Sequence, residues 1–157
     1  MALLKEGKTA PDFELPASTG GTIQLSSFQG KNAVVLYFYP KDNTPGCTKE
    51  ACSFRDLGAE FAEAGAVILG ISADSLASHE KFSSKFKLGF PLLSDEDTKV
   101  STAYGAWGEK TMYGRKFQGM VRTTFLIDKE GVIRKVWPKV KVDEHADEVL
   151  AFLKSLG

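Results

Sequence analysis

Two unbroken apolar runs set the frame for this chain. Ala33 to Tyr39 reads AVVLYFY and Ala66 to Ile71 reads AVILGI. Neither alternates polar with apolar residues, as a strand with one wet face does. A strand covered on both faces reads this way. Pro40 stops the first run, and Asp42, Asn43, Pro45 and Gly46 mark the loop that follows. From about Cys47 to Glu63 the apolar positions Ala51, Phe54, Leu57, Phe61 and Ala62 recur mostly at gaps of three and four. That spacing predicts one helix with a single buried face, closed by Gly65. Strand, helix and strand in this order predict an α/β fold: a mixed central sheet with helices on both faces.

The flanking segments extend the frame. Asp12 to Leu15 and Thr22 to Leu25, around Ser18 to Gly21, predict an N-terminal β-hairpin. Asp74 and Ser75 are candidate caps for a helix to about Lys87, with Leu76, Phe82 and Phe86 inward. Pro91 to Leu93 reads as a short strand and Lys99 to Trp107 as a short helix. Gly105 to Gly119 reads as a loop with an edge hairpin, in which Trp107 and Tyr113 serve either a hydrophobic rim or core packing. Thr123 to Ile127 and Val132 to Trp137 flank the turn Asp128 to Gly131 and predict a second hairpin. Asp143 is the expected cap of a last helix, with Val149, Leu150 and Leu153 inward. His79 and His145 are expected on solvated helix faces.

Length and charge exclude several classes. At 157 residues, 1–157 reads as a single domain with enough core to need no disulfide or metal staple. Lysine plus arginine equals aspartate plus glutamate at 20 each, which argues against nucleic acid or an anionic membrane as partner. The longest apolar run is far too short to span a bilayer, and the first residues carry no secretory pattern, so the expected location is cytoplasmic. The two cysteines, Cys47 and Cys52, and two distant histidines do not supply the four ligands of a closed zinc site. A structural metal site is therefore not expected. The cysteines are then either small buried hydrophobes or redox groups.

Their position favours chemistry. With Thr44 as N-cap, Pro45 falls at N1 and Cys47 at N3. A sulfur there faces unpaired backbone N–H groups and the positive end of the helix dipole, which favour the nucleophilic thiolate. Cys52 lies five residues on. In an unbroken helix that offset is about 140° of rotation and ~7.5 Å of rise, with Cα atoms ~8.6 Å apart. A disulfide needs less than about 7 Å, so the two could pair only if the first turns unwind.

The segment PKDNTPGC, Pro40 to Cys47, resembles the peroxiredoxin active-site pattern P-x-x-x-T-x-x-C at every fixed position. Cys52 after four intervening residues is similar to the Q-type branch, also called bacterioferritin comigratory protein. In order along the chain, Gly7 to Phe13, Gly70 to Asp74, Phe90 to Asp95, Tyr104 to Lys110 and Arg122 to Asp128 also resemble that branch. The resemblance implies a thioredoxin-like fold and reduction of hydrogen peroxide and organic hydroperoxides. It implies that Cys47 attacks the peroxide and becomes a sulfenic acid, and that Cys52 resolves it as an intramolecular disulfide. Thioredoxin or a similar dithiol donor would then reduce that disulfide, and the resemblance calls for no metal or organic cofactor. By the same resemblance Thr44 would hydrogen-bond peroxide and thiolate, Arg122 would stabilise the thiolate and the displaced oxygen, and Pro40 would shield the pocket from water. The chain has no G-G-L-G motif and no further cysteine near its end, so the family expectation is a monomer.

Other readings of the same residues stand beside this one. Thr44 could serve only as a cap, Pro40 only as a strand terminator, Arg122 only as an edge charge, and Glu50 as an exposed first-turn carboxylate. A thioredoxin-like disulfide oxidoreductase would share the fold, although the chain lacks C-x-x-C. A redox sensor or holdase would oxidise once, where an enzyme turns over with excess donor.

Overall fold

The computed structural model describes residues 3–156. Its centre is the first apolar run. Strand β3 (Ala33–Phe38) has all six residues buried, because neighbours pair with it on both edges. It runs parallel to β4 (Ala66–Ser72) and antiparallel to β8 (Thr123–Ile127). Beyond β4 lies β5 (Leu92–Ser94), parallel to it; beyond β8 lies β9 (Ile133–Trp137), antiparallel. The order is β5-β4-β3-β8-β9, a mixed sheet. The N-terminal hairpin of β1 (Glu14–Pro16) and β2 (Thr22–Gln24) stands apart as a two-stranded ribbon. So does the hairpin of β6 (Trp107–Met112) and β7 (Arg115–Met120).

Alternation along β3 sorts the core into two layers. Val35 and Tyr37 point at α1 (Pro45–Asp56), α2 (Gly58–Glu63), α3 (Leu76–Phe86) and α5 (His145–Leu156), packing with Ala51, Phe54, Phe61, Phe82 and Val149. Val34, Leu36 and Phe38 point the other way, toward Phe13, Leu15, Leu25, Tyr104 and Phe125, where α4 (Lys99–Ala103) and the N-terminal hairpin cover the sheet. Fully burying one such side chain contributes about 1.5–3 kcal/mol.

One contact fixes α1 on the sheet. Tyr37 pairs in register with Gly70 of β4, and a Cβ at 70 would lie 2.9 Å from the Tyr37 ring. The missing side chain lets the ring lie flat and stack on Phe54 of α1, centroids 4.9 Å apart. The N-terminus of α1 is thereby held beyond the carboxyl end of β3, where open α/β sheets form their crevices.

Several expected boundaries move. The helix expected from Cys47 to Glu63 is two helices. Leu57 leaves the helical conformation (φ −97°, ψ 7°) and Gly58 starts α2, a bend that lets Phe54 and Phe61 meet at 5.8 Å. The helix expected to Trp107 stops at Ala103, because Gly105 takes φ +79° and the chain turns into β6. Trp107 packs against the second core layer, whereas Tyr113 is 96 % exposed. Tyr113 and Gly114 both have positive φ, as a two-residue hairpin turn of type I′ requires. Asp143 does not begin the last helix; it pairs with Lys49 of α1, and α5 starts at His145. Ser75 does cap α3, accepting a bond from the Ser78 amide at 3.2 Å.

Both histidines are buried rather than solvated. Each ring finds polar partners inside. His79 lies between the Asp42 carboxylate and the Leu93 carbonyl, and His145 Nε2 is 2.8 Å from Thr124 Oγ1. Burial, with the Arg122 charge adding to it, pulls His145 down to about 4, so its ring is neutral near pH 7. No helix among the described residues is long and apolar enough to cross a membrane.

Candidate active site

The loop from Pro40 to Thr44 links β3 to α1. Thr44 is extended (φ −96°, ψ 155°), Pro45 occupies N1, and Cys47 falls in the first turn as its spacing predicts. The Thr44 side chain does not cap the helix. Its hydroxyl donates to the Lys41 carbonyl at 2.9 Å, which closes the loop on itself and leaves the oxygen's lone pairs able to accept.

Cys47 is 2 % exposed. Arg122, in the link between β7 and β8, donates from Nη2 to its sulfur at 3.3 Å and from Nη1 to Glu50 Oε1 at 2.7 Å. Cys47 and Glu50 are three apart on α1 and share one face, so a single guanidinium reaches both. Gly46 makes room for it: a Cβ there would lie 3.2 Å from Arg122 Nη2. The Arg122 carbonyl accepts from the Val140 amide at 2.9 Å, which anchors the segment carrying the side chain.

The guanidinium beside the sulfur is held in its charged form. Burial works against the Arg122 charge, but Glu50 and Cys47 outweigh it and hold the guanidinium more firmly protonated than usual. Burial pushes the Glu50 carboxyl up to about 7, against the pull of Arg122. Glu50 is buried, and its Oε2 has no hydrogen-bond partner among the described residues, nor does the Tyr37 hydroxyl. A sulfur beside a fixed cation and the free amides of a first helical turn sits where negative charge is favoured.

Cys52 lies on the same continuous helix, half-buried, and both thiols are free. The helical offset keeps the pair apart in this state. Pro40 is half-buried at the start of the loop, directly after Tyr39.

Behind the loop is a polar cluster that sequence reasoning missed. Asp42 accepts from the Tyr39 hydroxyl (2.5 Å), Ser78 Oγ (2.8 Å) and His79 Nδ1 (2.7 Å), and its amide donates to Asp74 Oδ2 (2.8 Å). Asp42, Asp74 and His79 each place one ligand-type atom within 4.8 Å of the others, but these atoms are engaged with one another and with their neighbours.

Of the residues singled out from sequence, the fold thus brings Arg122 onto Cys47, with Thr44 and Pro40 in the adjoining loop and Cys52 further along α1. Glu50, Gly46, Asp42 and His79 went unassigned. The spacing of Glu50 from Cys47 is the sequence signal that points to it, since residues three apart on a helix share a face.

The model of the AhpC/TSA family matches residues 7–136. The putative peroxiredoxin Bcp of Coxiella burnetii is 53 % identical over 150 residues, covering 96 % of this chain and 99 % of that protein. Peroxiredoxin Bcp of Bacillus subtilis is 51 % identical over 151 residues, covering 96 % of each. A structure of the bacterioferritin comigratory protein of Xanthomonas campestris, studied for alkyl peroxide reduction, superposes with a TM-score of 0.87 at 46 % identity, covering 92 % of this chain and 91 % of that one. Likeness at this identity along nearly whole chains, on a thioredoxin-like fold, settles kinship: the chain belongs to the AhpC/TSA family and, within it, to the peroxiredoxins of the Bcp, or Q, type, which are thiol-dependent peroxidases.

Proposed function

We propose that Cys47 is the thiol that attacks hydroperoxide, that Cys52 resolves it, and that Arg122, Thr44 and Pro40 build the pocket. The observation that carries this is the Arg122 guanidinium 3.3 Å from the Cys47 sulfur, at the start of a helix. The Cys47 thiolate forms a bond to one peroxide oxygen as the O–O bond breaks. The sulfur leaves this step as a sulfenic acid, and the other oxygen departs as hydroxide or alkoxide and takes up a proton. Arg122 supports both the attacking sulfur and the departing oxygen. Thr44 Oγ1, its own proton committed to Lys41, accepts the peroxide O–H, and Pro40 keeps bulk water from the loop. The Cys52 thiol then displaces water from the sulfenic acid to give a Cys47–Cys52 disulfide, which requires the first turns of α1 to open.

A dithiol protein such as thioredoxin reduces the disulfide in this scheme, and the chain acts as a monomeric, single-domain cytoplasmic enzyme over 1–157. Both hydrogen peroxide and alkyl hydroperoxides are substrates; the Xanthomonas relative's alkyl peroxide reduction supports the second class.

The test is one equivalent of hydrogen peroxide added to reduced protein, followed by a free-thiol count and an intact mass. Loss of both thiols and two hydrogens, absent in Cys47→Ser, supports the scheme. Survival of both thiols overturns it.

A further inference from the structure

The geometry points to the buried Asp42–His79 pair as a positioning latch: it holds the Pro40–Thr44 loop in place for peroxide while the adjoining turns of α1 are free to open. The inference rests on the reading of Cys47 as the attacking thiol.

The hydrogen bonds define the state of the pair. His79 Nε2 faces the Leu93 carbonyl at 2.9 Å, and a carbonyl only accepts, so Nε2 carries a proton. Nδ1 faces Asp42 Oδ2 at 2.7 Å. Burial pushes the Asp42 carboxyl up, but the bonds from His79 and Tyr39 outweigh it and hold it below the usual carboxylate range. Asp42 is therefore ionised, and with Nδ1 and Nε2 both bonded the ring is held in a single orientation. Both residues are buried.

Its location gives it a purpose. Asp42 is midway between Pro40 and Thr44 and is bonded to three elements: the end of β3 through Tyr39, α3 through Ser78 and His79, and the end of β4 through Asp74, which also accepts from Ser72 Oγ at 2.7 Å. Past it the side-chain ties thin out. The Asn43 side chain has one long exposed bond from Lys85 at 3.4 Å, the Thr44 hydroxyl bonds back to Lys41, and the Thr44 carbonyl takes the first helical bond, from the Thr48 amide at 2.8 Å. The chain is thus pinned five residues before Cys47 and loosely held from there to the helix. Apolar packing stabilises a turn as well as a buried polar pair does; what the pair adds is one defined geometry. That geometry orients Thr44 through Lys41, and a loop displaced by a fraction of an ångström presents the peroxide wrongly.

The experiment separates two rate constants. The second-order constant for peroxide is measured in a Cys52→Ser background, and the first-order constant for disulfide closure in protein with both cysteines. In His79→Ala the peroxide constant is expected to fall about tenfold, with closure changed less than about threefold. Asp42→Asn keeps a bond to a neutral His79 ring and is expected to stay within about threefold of the parent, whereas Asp42→Ala follows His79→Ala. Ser78→Ala removes a single half-buried bond and serves where the larger changes prevent folding; it is expected to lower only the peroxide constant, about twofold to threefold. A purely structural role would lower the melting temperature and leave the ratio of the two constants untouched. An unchanged peroxide constant in the folded variants, or an equal fall in both constants, overturns the latch. Failure of the unsubstituted protein to react at Cys47 overturns the underlying scheme instead.

Discussion

Gly46→Ala separates activity from stability by sign. In the structure a Cβ at this position meets Arg122 Nη2 at 3.2 Å and Cζ at 4.0 Å. The first distance is a few tenths of an ångström inside ordinary contact. The guanidinium is the end of a flexible side chain that is 17 % exposed, so it retreats rather than distorting the backbone. Retreat lengthens the bond to Cys47, now 3.3 Å. A hydrogen bond to a charged group contributes about 1.5–3 kcal/mol, and losing roughly half of it costs the peroxide step about threefold to tenfold. Stability moves the other way, because replacing glycine by alanine within a helix gains about 0.5–1 kcal/mol, less in a first turn. The assays are the stopped-flow rate of peroxide reaction in a Cys52→Ser background and urea unfolding of the reduced protein. A rate within twofold of the parent would refute the claim that the missing side chain serves Arg122. A loss of more than about 1 kcal/mol of stability would show that the site is overpacked instead.

Three further perturbations test the charged cluster and the pairing. Glu50→Gln, compared with Glu50 in a Cys47→Ser background, tests the raised carboxyl. A group held up to about 7 from 4.5 stabilises the fold less as pH rises through that window. The parent should therefore lose about 2–3 kcal/mol relative to the Gln variant between pH 5 and 8 in urea unfolding, and parallel curves would remove the claim. Arg122→Met should slow peroxide reaction by about 10²-fold or more. It should also destabilise by about 3 kcal/mol at pH 8, where the parent's charged Glu50 loses its partner and must stay unpaired or take up a proton, and by less at pH 5, where Glu50 is already protonated. Cys52→Ser should keep one fast reaction with peroxide and then over-oxidise at Cys47, read by mass; normal turnover with a dithiol donor would remove Cys52 from the scheme.

Legibility in the sequence followed the range of the interactions. The β3 run, the N1 proline, the Ser75 cap and the turn of the β8–β9 hairpin are local signals, and each stands where its residues place it. The break at Leu57 was hidden because Phe54 and Phe61 keep a helical spacing across the bend; only the shared pocket under both rings shows that the axis changes direction. The Arg122–Cys47 contact spans 75 residues and had no local signal, so the family resemblance was its sole pointer. Glu50, His79 and His145 depart from expectation for one reason: polar residues on amphipathic helices ordinarily face water. Each is buried because a partner from a distant segment satisfies it: Arg122, Asp42 and Thr124 respectively.

The resolving step sets the last test. Cys47, Glu50 and Cys52 all ride on α1, while Arg122 approaches from the β7–β8 link. In the proposed scheme, opening the first turns to bring the two sulfurs together therefore takes Cys47 away from the cation proposed to activate it. Phe54 limits how far the opening travels: it is fully buried and stacked on Tyr37 of the central strand. Withdrawing such a ring costs about 3–5 kcal/mol, more than unwinding another turn of helix returns. The opening should therefore stop short of it. Amide exchange on the reduced and disulfide forms reads this directly. Protection should fall on oxidation from Thr48 to Leu57, whose amides bond carbonyls no later than Ser53, and stay unchanged at Phe61 and beyond. Unchanged exchange before Phe54 would remove the unwinding step, and loss of protection running through Phe61 would show that the Tyr37–Phe54 stack does not hold.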